Sequence, residues 1–272
     1  MAFGYSLNSS TIKPAPILDK IRIAAEAGYA AIELWHDDID KHLQSGGSLE
    51  EIRRAVDDQG LAVPTTIMLK GWCEPDGADY EAGMAECRRR LEQAAVVGAQ
   101  HAVSGPPHGP VDYGLAAQRY GELVDIGLTY GVRPAMEYLG FVQEVNSIAK
   151  ALRIMTDSGH PEATIVLDPF HDFRGGAGCE MIAQLRPEQI AICHFDDAPA
   201  SPPAGEQRDP DRVMPGEGII PLGRFLDLLQ QIGYSGWVSL ELFREDLWQR
   251  DPLEVAREGL AKMRGVCEAA GG

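Results

Sequence analysis

The chain lacks the features that mark several classes of protein. Its 272 residues include five cysteines, an odd number with no Cys-x-x-Cys spacing, which argues against a disulfide framework or a thiolate metal site. Basic residues number 24 against 41 acidic ones, and the resulting formal charge of −17 disfavours nucleic acid and anionic membranes as partners. No apolar run approaches the ~20 residues that a membrane-spanning helix needs.

The start of the sequence also lacks the basic segment and apolar stretch of a signal peptide. Together with the reduced, scattered cysteines, this favours a soluble, cytoplasmic protein. No low-complexity stretch or linker divides the chain. We therefore expect a single domain over residues 1–272, and the oligomeric state, a homo-oligomer included, is left open.

Short apolar, β-branched runs alternate with longer amphipathic segments along the chain. Glycines such as Gly28, Gly98 and Gly159 stand where a helix should stop, and Ser48 with Glu51 has the spacing of a capping box. Eight strand–helix units predict a parallel sheet closed into a (β/α)8 TIM barrel. A doubly wound open sheet is disfavoured, because no Gly-x-Gly-x-x-Gly follows the first strand.

The predicted strands are residues 3–8, 30–35, 63–68, 101–105, 132–138, 164–169, 190–195 and 237–243. The predicted helices are residues 17–27, 49–59, 80–97, 115–130, 147–158, 179–185 (a shorter, weaker one), 222–232 and 252–269.

Each of the last four predicted strands carries an ionisable side chain after an apolar run: Glu137, Asp168, His194 and Glu241. In barrels of this kind the chemistry lies at the C-terminal ends of the strands. Carboxylates that converge there repel one another unless a cation lies between them. Two glutamates, an aspartate and a histidine suit Mn²⁺, Mg²⁺, Co²⁺ or Zn²⁺. The sequence therefore predicts one divalent metal ion with these four residues as its ligands.

Four segments resemble the xylose isomerase-like TIM-barrel superfamily of sugar isomerases and epimerases. The superfamily includes inosose isomerases and epimerases, ketose 3-epimerases, dehydroshikimate dehydratases and apurinic-site endonucleases, and the chain most resembles the inosose isomerases, which act on 2-keto-myo-inositol. The match is strongest over residues 133–260. The segments are Leu167-Asp-Pro-Phe-His171, His194-Phe-Asp-Asp197, Asp211-Arg-Val-Met-Pro-Gly-Glu-Gly218 and Val238-Ser-Leu-Glu-Leu-Phe-Arg244.

The resemblance implies the same four metal ligands, with Mn²⁺ as the favoured ion. It also implies that Glu137 and Glu241 form the acid–base pair, which moves a proton beside a carbonyl through an enediolate. His171 and Arg212 would then bind oxygens of a small polyol or keto-sugar substrate.

Three further features come from the residues themselves. Glu33, at the end of the second strand, is a candidate substrate contact or a brace of the barrel. Asp196 is expected to orient a metal ligand by contact with it, without binding the metal itself. Residues 196–220, which include Arg212, form a long irregular segment that predicts an active-site loop.

Other reactions of the superfamily stay open as alternatives. A ketose 3-epimerase or inosose epimerase would return the proton to a different position, and a dehydratase or lyase acting on a keto-sugar or 3-dehydroshikimate would expel a leaving group. An apurinic-site endonuclease is disfavoured. The third strand ends Ile67-Met-Leu-Lys70 and the long loop reads Asp211-Arg-Val213, so both lack the added histidines of a three-metal cluster.

Overall fold

The computed structural model describes residues 3–73 and 77–271, and its strands form a closed parallel barrel in chain order. The barrel closes between the first and last strands, where Leu7 pairs with Leu240. Closure in chain order confirms the predicted (β/α)8 fold. The strands are β1 (Gly4–Asn8), β2 (Ala31–Trp35), β3 (Val63–Leu69), β4 (Ala99–Ser104), β5 (Arg133–Met136), β6 (Thr164–Leu167), β7 (Ile190–His194) and β8 (Trp237–Leu240).

Helices follow the strands around the outside of the barrel. They are α1 (Ile17–Ala27), α2 (His36–Gln44), α3 (Leu49–Asp58), α4 (Ala78–Val97), α5 (Tyr113–Thr129), α6 (Ile148–Ser158), α7 (Pro169–Gly175), α8 (Leu222–Gln231), α9 (Glu245–Trp248) and α10 (Pro252–Gly271). Helices α2, α7 and α9 were not predicted. The weak helix predicted at residues 179–185 is instead a 3₁₀ helix over Glu180–Gln184. None of the described helices is both long and apolar enough to cross a membrane.

The predicted helix ends are present in the structure. The Ser48 hydroxyl accepts the Glu51 N–H at 3.2 Å, and the Glu51 carboxylate accepts the Ser48 N–H at 2.9 Å, which completes the capping box. Gly28, Gly98 and Gly159 end their helices with φ angles of +97°, +84° and +65°. Because L side chains rarely adopt such angles, glycine allows each helix to stop and turn into the next strand.

Two apolar layers hold the barrel together. The larger lies between the strands and the surrounding helices, and a smaller cluster fills the barrel interior with Ile67, Val103, Val166 and Ile192 among its residues. Since the interior is packed with side chains, ligands have access only at its ends.

Five strands end earlier than predicted, and in the three that end two or three residues early an ionisable residue lies just beyond the strand, at the C-terminal end of the barrel. Strands β5, β6 and β8 stop at Met136, Leu167 and Leu240, so Glu137, Asp168 and Glu241 each follow the last residue of a strand. At β6 the cause is local. Pro169 occupies the first turn of α7, and the Asp168 carboxylate caps that helix by accepting the His171 N–H at 3.1 Å.

Candidate metal centre

The four predicted ligands meet at the C-terminal end of the barrel. Each of Glu137, Asp168, His194 and Glu241 offers one ligand atom within 4.8 Å of the others, and all four residues are buried. Nδ1 of His194 lies 3.1 Å from Oε2 of Glu241, 3.4 Å from Oε1 of Glu137 and 3.5 Å from Oδ2 of Asp168. Residues separated by more than 100 positions in the sequence therefore share one small volume.

Burial and mutual repulsion perturb the titration of this cluster. Burial raises the pKa of Glu137 to about 8, and the negative charges of Glu241 and Asp168 act in the same direction. Burial alone would lower the pKa of His194, but the surrounding carboxylates outweigh it and hold that pKa well above its usual value. Three acidic groups at this spacing are costly without a compensating cation.

The donor set fits a divalent metal ion. Nδ1 of His194 is buried and has no hydrogen-bond partner, although three carboxylates surround it. An imidazole nitrogen directed at converging carboxylate oxygens is the arrangement expected of a metal site with one nitrogen and three oxygen ligands. These four residues would hold the ion.

Arg212 supplies positive charge next to the four ligands. Its Nη1 lies 2.7 Å from Oδ2 of Asp168 and 3.3 Å from Oε2 of Glu241, and it also donates to Asp196. Its Nη2 lies 3.0 Å from Nε2 of His171. Asp196, which was expected to orient a metal ligand, contacts Arg212. The structure brings all three predicted substrate-binding residues, His171, Arg212 and Glu33, next to the cluster.

A turn in the long loop fixes the position of Arg212. Asp197 and Val213 exchange backbone hydrogen bonds of 3.0 and 2.9 Å, which pair the start of the loop with the residue after Arg212. The Asp197 carboxylate also accepts the backbone N–H groups of Gly216, Gly218 and Ile220 at 2.9–3.1 Å. This role of Asp197 was not predicted from the sequence, although an aspartate just after the strand and the Pro-Gly-Glu-Gly segment further along the loop both favour turns.

Glu33 lies on the other side of His194. It is fully buried, and its Oε2 is 3.3 Å from Nε2 of His194. Asn8, another residue with no assigned role in the sequence analysis, donates from Nδ2 to Oε1 of Glu33 at 3.1 Å and to Oε1 of Glu241 at 2.8 Å. The substrate contact that the sequence suggested for Glu33 is not favoured by this geometry, since protein groups surround its carboxylate.

A cavity of about 640 Å³ opens at the same end of the barrel, next to β3 and β4. Met68, Lys70, Trp72, Gly105 and Leu139 contribute to its lining. Trp72 is itself buried and donates to the Gly105 carbonyl at 2.9 Å, so it packs the wall. Leu139 follows Glu137 by two residues, which connects this wall to the end of β5 that carries Glu137.

Comparison with known proteins points to one family. The sequence profile of xylose isomerase-like TIM barrels matches residues 21–266. An inosose isomerase of Bacillus velezensis is 27% identical over 271 residues, which cover 92% of each chain. An inosose isomerase of Halalkalibacterium halodurans is 39% identical, but over 137 residues only, 50% of this chain and 48% of that protein, so this match spans about half of its length. A crystal structure of the IOLI protein with a bound zinc atom superimposes with a TM-score of 0.92 at 25% identity, over 98% of this chain and 99% of that one.

Proposed function

This chain belongs to the xylose isomerase-like TIM-barrel family, and from that premise we propose that it is a metal-dependent isomerase of a small cyclic ketone. The substrate class we infer is the inososes, represented by 2-keto-myo-inositol. The observation that carries the proposal is the convergence of Glu137, Asp168, His194 and Glu241 within 4.8 Å of one another. Relatives named inosose isomerase support the choice of substrate.

In this proposal the two glutamates would move the proton. A divalent ion held by the cluster would act as a Lewis acid toward the substrate carbonyl and the neighbouring hydroxyl. Glu137 and Glu241 extend from β5 and β8, which are not neighbours in the barrel, so their carboxylates approach the site from different sides. One takes the proton from the hydroxyl-bearing carbon beside the carbonyl, and the proton is returned to the former carbonyl carbon. The hydroxyl proton passes to the former carbonyl oxygen, so the carbonyl moves by one position.

Arg212 and His171 are proposed to hold substrate oxygens. The Arg212 guanidinium is buried and faces the cluster, with Nη1 2.7 Å from Oδ2 of Asp168 and 3.3 Å from Oε2 of Glu241. A fixed guanidinium presents several parallel donors, which suits the adjacent hydroxyls of a polyol. His171 is held beside it, 3.0 Å from Nη2.

We propose Mn²⁺ as the resident ion, with Mg²⁺, Co²⁺ and Zn²⁺ able to replace it. Three oxygen donors and one nitrogen are consistent with any of these ions. The crystal structure of the IOLI protein holds zinc. This supports a divalent ion in the present chain, but it does not favour manganese over the other ions.

Proton exchange tests the proposed reaction. The metal-loaded protein is incubated with 2-keto-myo-inositol in D₂O, and deuterium incorporation and products are followed by NMR with each of the four ions. We expect deuterium at the carbon that bore the carbonyl, together with a ketone at the neighbouring position. The absence of both with every ion would exclude this substrate.

The same spectra separate the related reactions. Inversion at a carbon without movement of the carbonyl would identify an epimerase, and an unsaturated product would identify a dehydratase or lyase. The Glu241→Gln variant should lower kcat by about 10²–10⁴-fold. The matched control is Glu188→Gln, an exposed glutamate that precedes β7 at the opposite end of the barrel, and it should retain activity.

A further inference from the structure

Glu33 accepts as many hydrogen bonds as a carboxylate normally can. Its Oε1 accepts from Asn8 Nδ2 at 3.1 Å and from the Ser239 hydroxyl, and its Oε2 accepts from the Thr65 hydroxyl and lies 3.3 Å from His194 Nε2. An ionised carboxylate offers about four acceptor positions. Since protein donors occupy all of them and Glu33 is fully buried, no position is left for a substrate hydroxyl.

The contact with Glu33 determines which nitrogen of His194 carries a proton. A carboxylate can only accept, so Nε2 must be the donor. Nδ1 is then the nitrogen whose lone pair is available to a metal, and it is the one that faces Glu137, Asp168 and Glu241. A histidine ligand held through its other ring nitrogen keeps one tautomer and one ring orientation.

Asn8 extends this control to a second ligand. Its Nδ2 donates both to Glu33 and to Oε1 of Glu241, the latter at 2.8 Å. The amide cannot flip without loss, because its Oδ1 accepts from the Trp35 indole at 2.8 Å and from the Ser10 N–H at 3.0 Å, and both of these groups are obligate donors. Oε1 of Glu241 is thereby fixed, which leaves Oε2 directed toward His194 Nδ1.

We propose that Glu33 is a positioning residue that sets the tautomer of His194 and, through Asn8, the orientation of Glu241, and so raises the affinity of the site for a divalent cation. The proposal rests on the metal site of the proposed function, and it does not depend on the identity of the substrate. It assigns Glu33 to the metal and not to substrate recognition.

Zinc binding to the Glu33→Gln variant tests this role. The glutamine amide keeps the size of the side chain but presents an NH₂ group to two of the four donors. We expect the affinity for zinc, measured by competition with a chromophoric chelator, to fall about 10–100-fold. This is the range seen when a residue that hydrogen-bonds a metal ligand is removed. Thr65→Val is the matched control, because it removes a donor to Glu33 but keeps the contact with His194, and its zinc affinity should stay within a few fold of wild type.

The tautomer provides a readout that a purely structural role would not move. With ¹⁵N-histidine labelling of the zinc-loaded protein, the His194 signals should report protonated Nε2 and metal-bound Nδ1 in wild type and in Thr65→Val. In Glu33→Gln they should shift or split. If that variant does not fold, Glu33→Asp keeps the charge but shortens its reach to His194, and its zinc affinity should also fall.

A Glu33→Gln protein that folds, binds zinc as tightly as wild type and keeps the same His194 signals would overturn the proposal. Wild-type protein that binds no zinc would overturn it together with the metal site. Zinc binding and NMR require no substrate, so lack of activity toward 2-keto-myo-inositol would leave the assignment of Glu33 standing while excluding the proposed reaction.

Discussion

The raised pKa of Glu137 predicts how the stability of the metal-free protein depends on pH. Burial, with the charges of Glu241 and Asp168, raises the pKa of Glu137 from 4.5 to about 8. When a carboxyl group has a higher pKa in the folded chain than in the unfolded chain, its contribution to stability is fully present at a pH below the pKa of the unfolded chain. This contribution is lost as the pH rises toward 8. At about 1.4 kcal/mol per pKa unit, the free energy of unfolding falls by about 5 kcal/mol.

The Glu137→Gln variant isolates this effect. Glutamine has no proton to lose, so the variant should gain stability relative to wild type as the pH rises from about 5 to about 8. The assay is urea unfolding of chelator-treated wild type and variant across that range, followed by circular dichroism. Saturating zinc should reverse the order at pH 8, since the ion stabilises ionised Glu137 and the variant lacks one ligand. Parallel pH profiles for the two metal-free proteins would refute the reasoning.

Three further substitutions test other parts of the account. Glu241→Gln should lower kcat by about 10²–10⁴-fold because it removes one member of the acid–base pair, and near wild-type turnover would contradict that role. Arg212→Lys keeps the charge but cannot span Asp168 and His171, so steady-state kinetics should show a rise in KM larger than the fall in kcat, and unchanged kinetics would count against substrate binding. Tyr120→Phe removes a buried hydroxyl bonded to backbone groups on β5 and β6, and should lower the free energy of unfolding by about 1–3 kcal/mol in urea with kcat unchanged.

The barrel and the cluster of candidate ligands could be predicted because their signals are local. A helix followed by glycine and an apolar strand repeats along the chain, and each ligand follows an apolar run. The position of a residue at the C-terminal end of a parallel strand is then enough to place it on one rim. Helix α7 could also have been predicted, since an aspartate followed by proline is a strong start signal, as at Asp168 and Pro169.

The role of Glu33 could not be derived in this way. Its partners Asn8, Thr65, His194 and Ser239 lie on four different strands, up to 206 residues away. Their contact depends on the register in which β1 closes on β8, with Ser6 paired to Ser239. Register in a closed barrel depends on strand tilt and stagger around the whole sheet, and no short stretch of sequence encodes it.

The position of Arg212 shows the same limit for loops. The irregular segment over residues 196–220, which includes Arg212, was visible in the sequence and predicted an active-site loop. The direct contact of Arg212 with Asp196 depends on the pairing of Asp197 with Val213 across the loop. This pairing depends on where the barrel holds the two ends of the loop. The spacing of residues in the sequence does not give those positions.

The central claim is that one divalent ion is bound by the side chains of Glu137, Asp168, His194 and Glu241, and anomalous diffraction tests it most directly. Crystals of the protein loaded with manganese would be measured at a wavelength where the ion scatters anomalously, and the peak would be located against the protein. The account predicts a single peak enclosed by these four side chains, with Nδ1 of His194 as the nitrogen ligand. A peak elsewhere, or no peak in crystals shown to contain manganese, would contradict it.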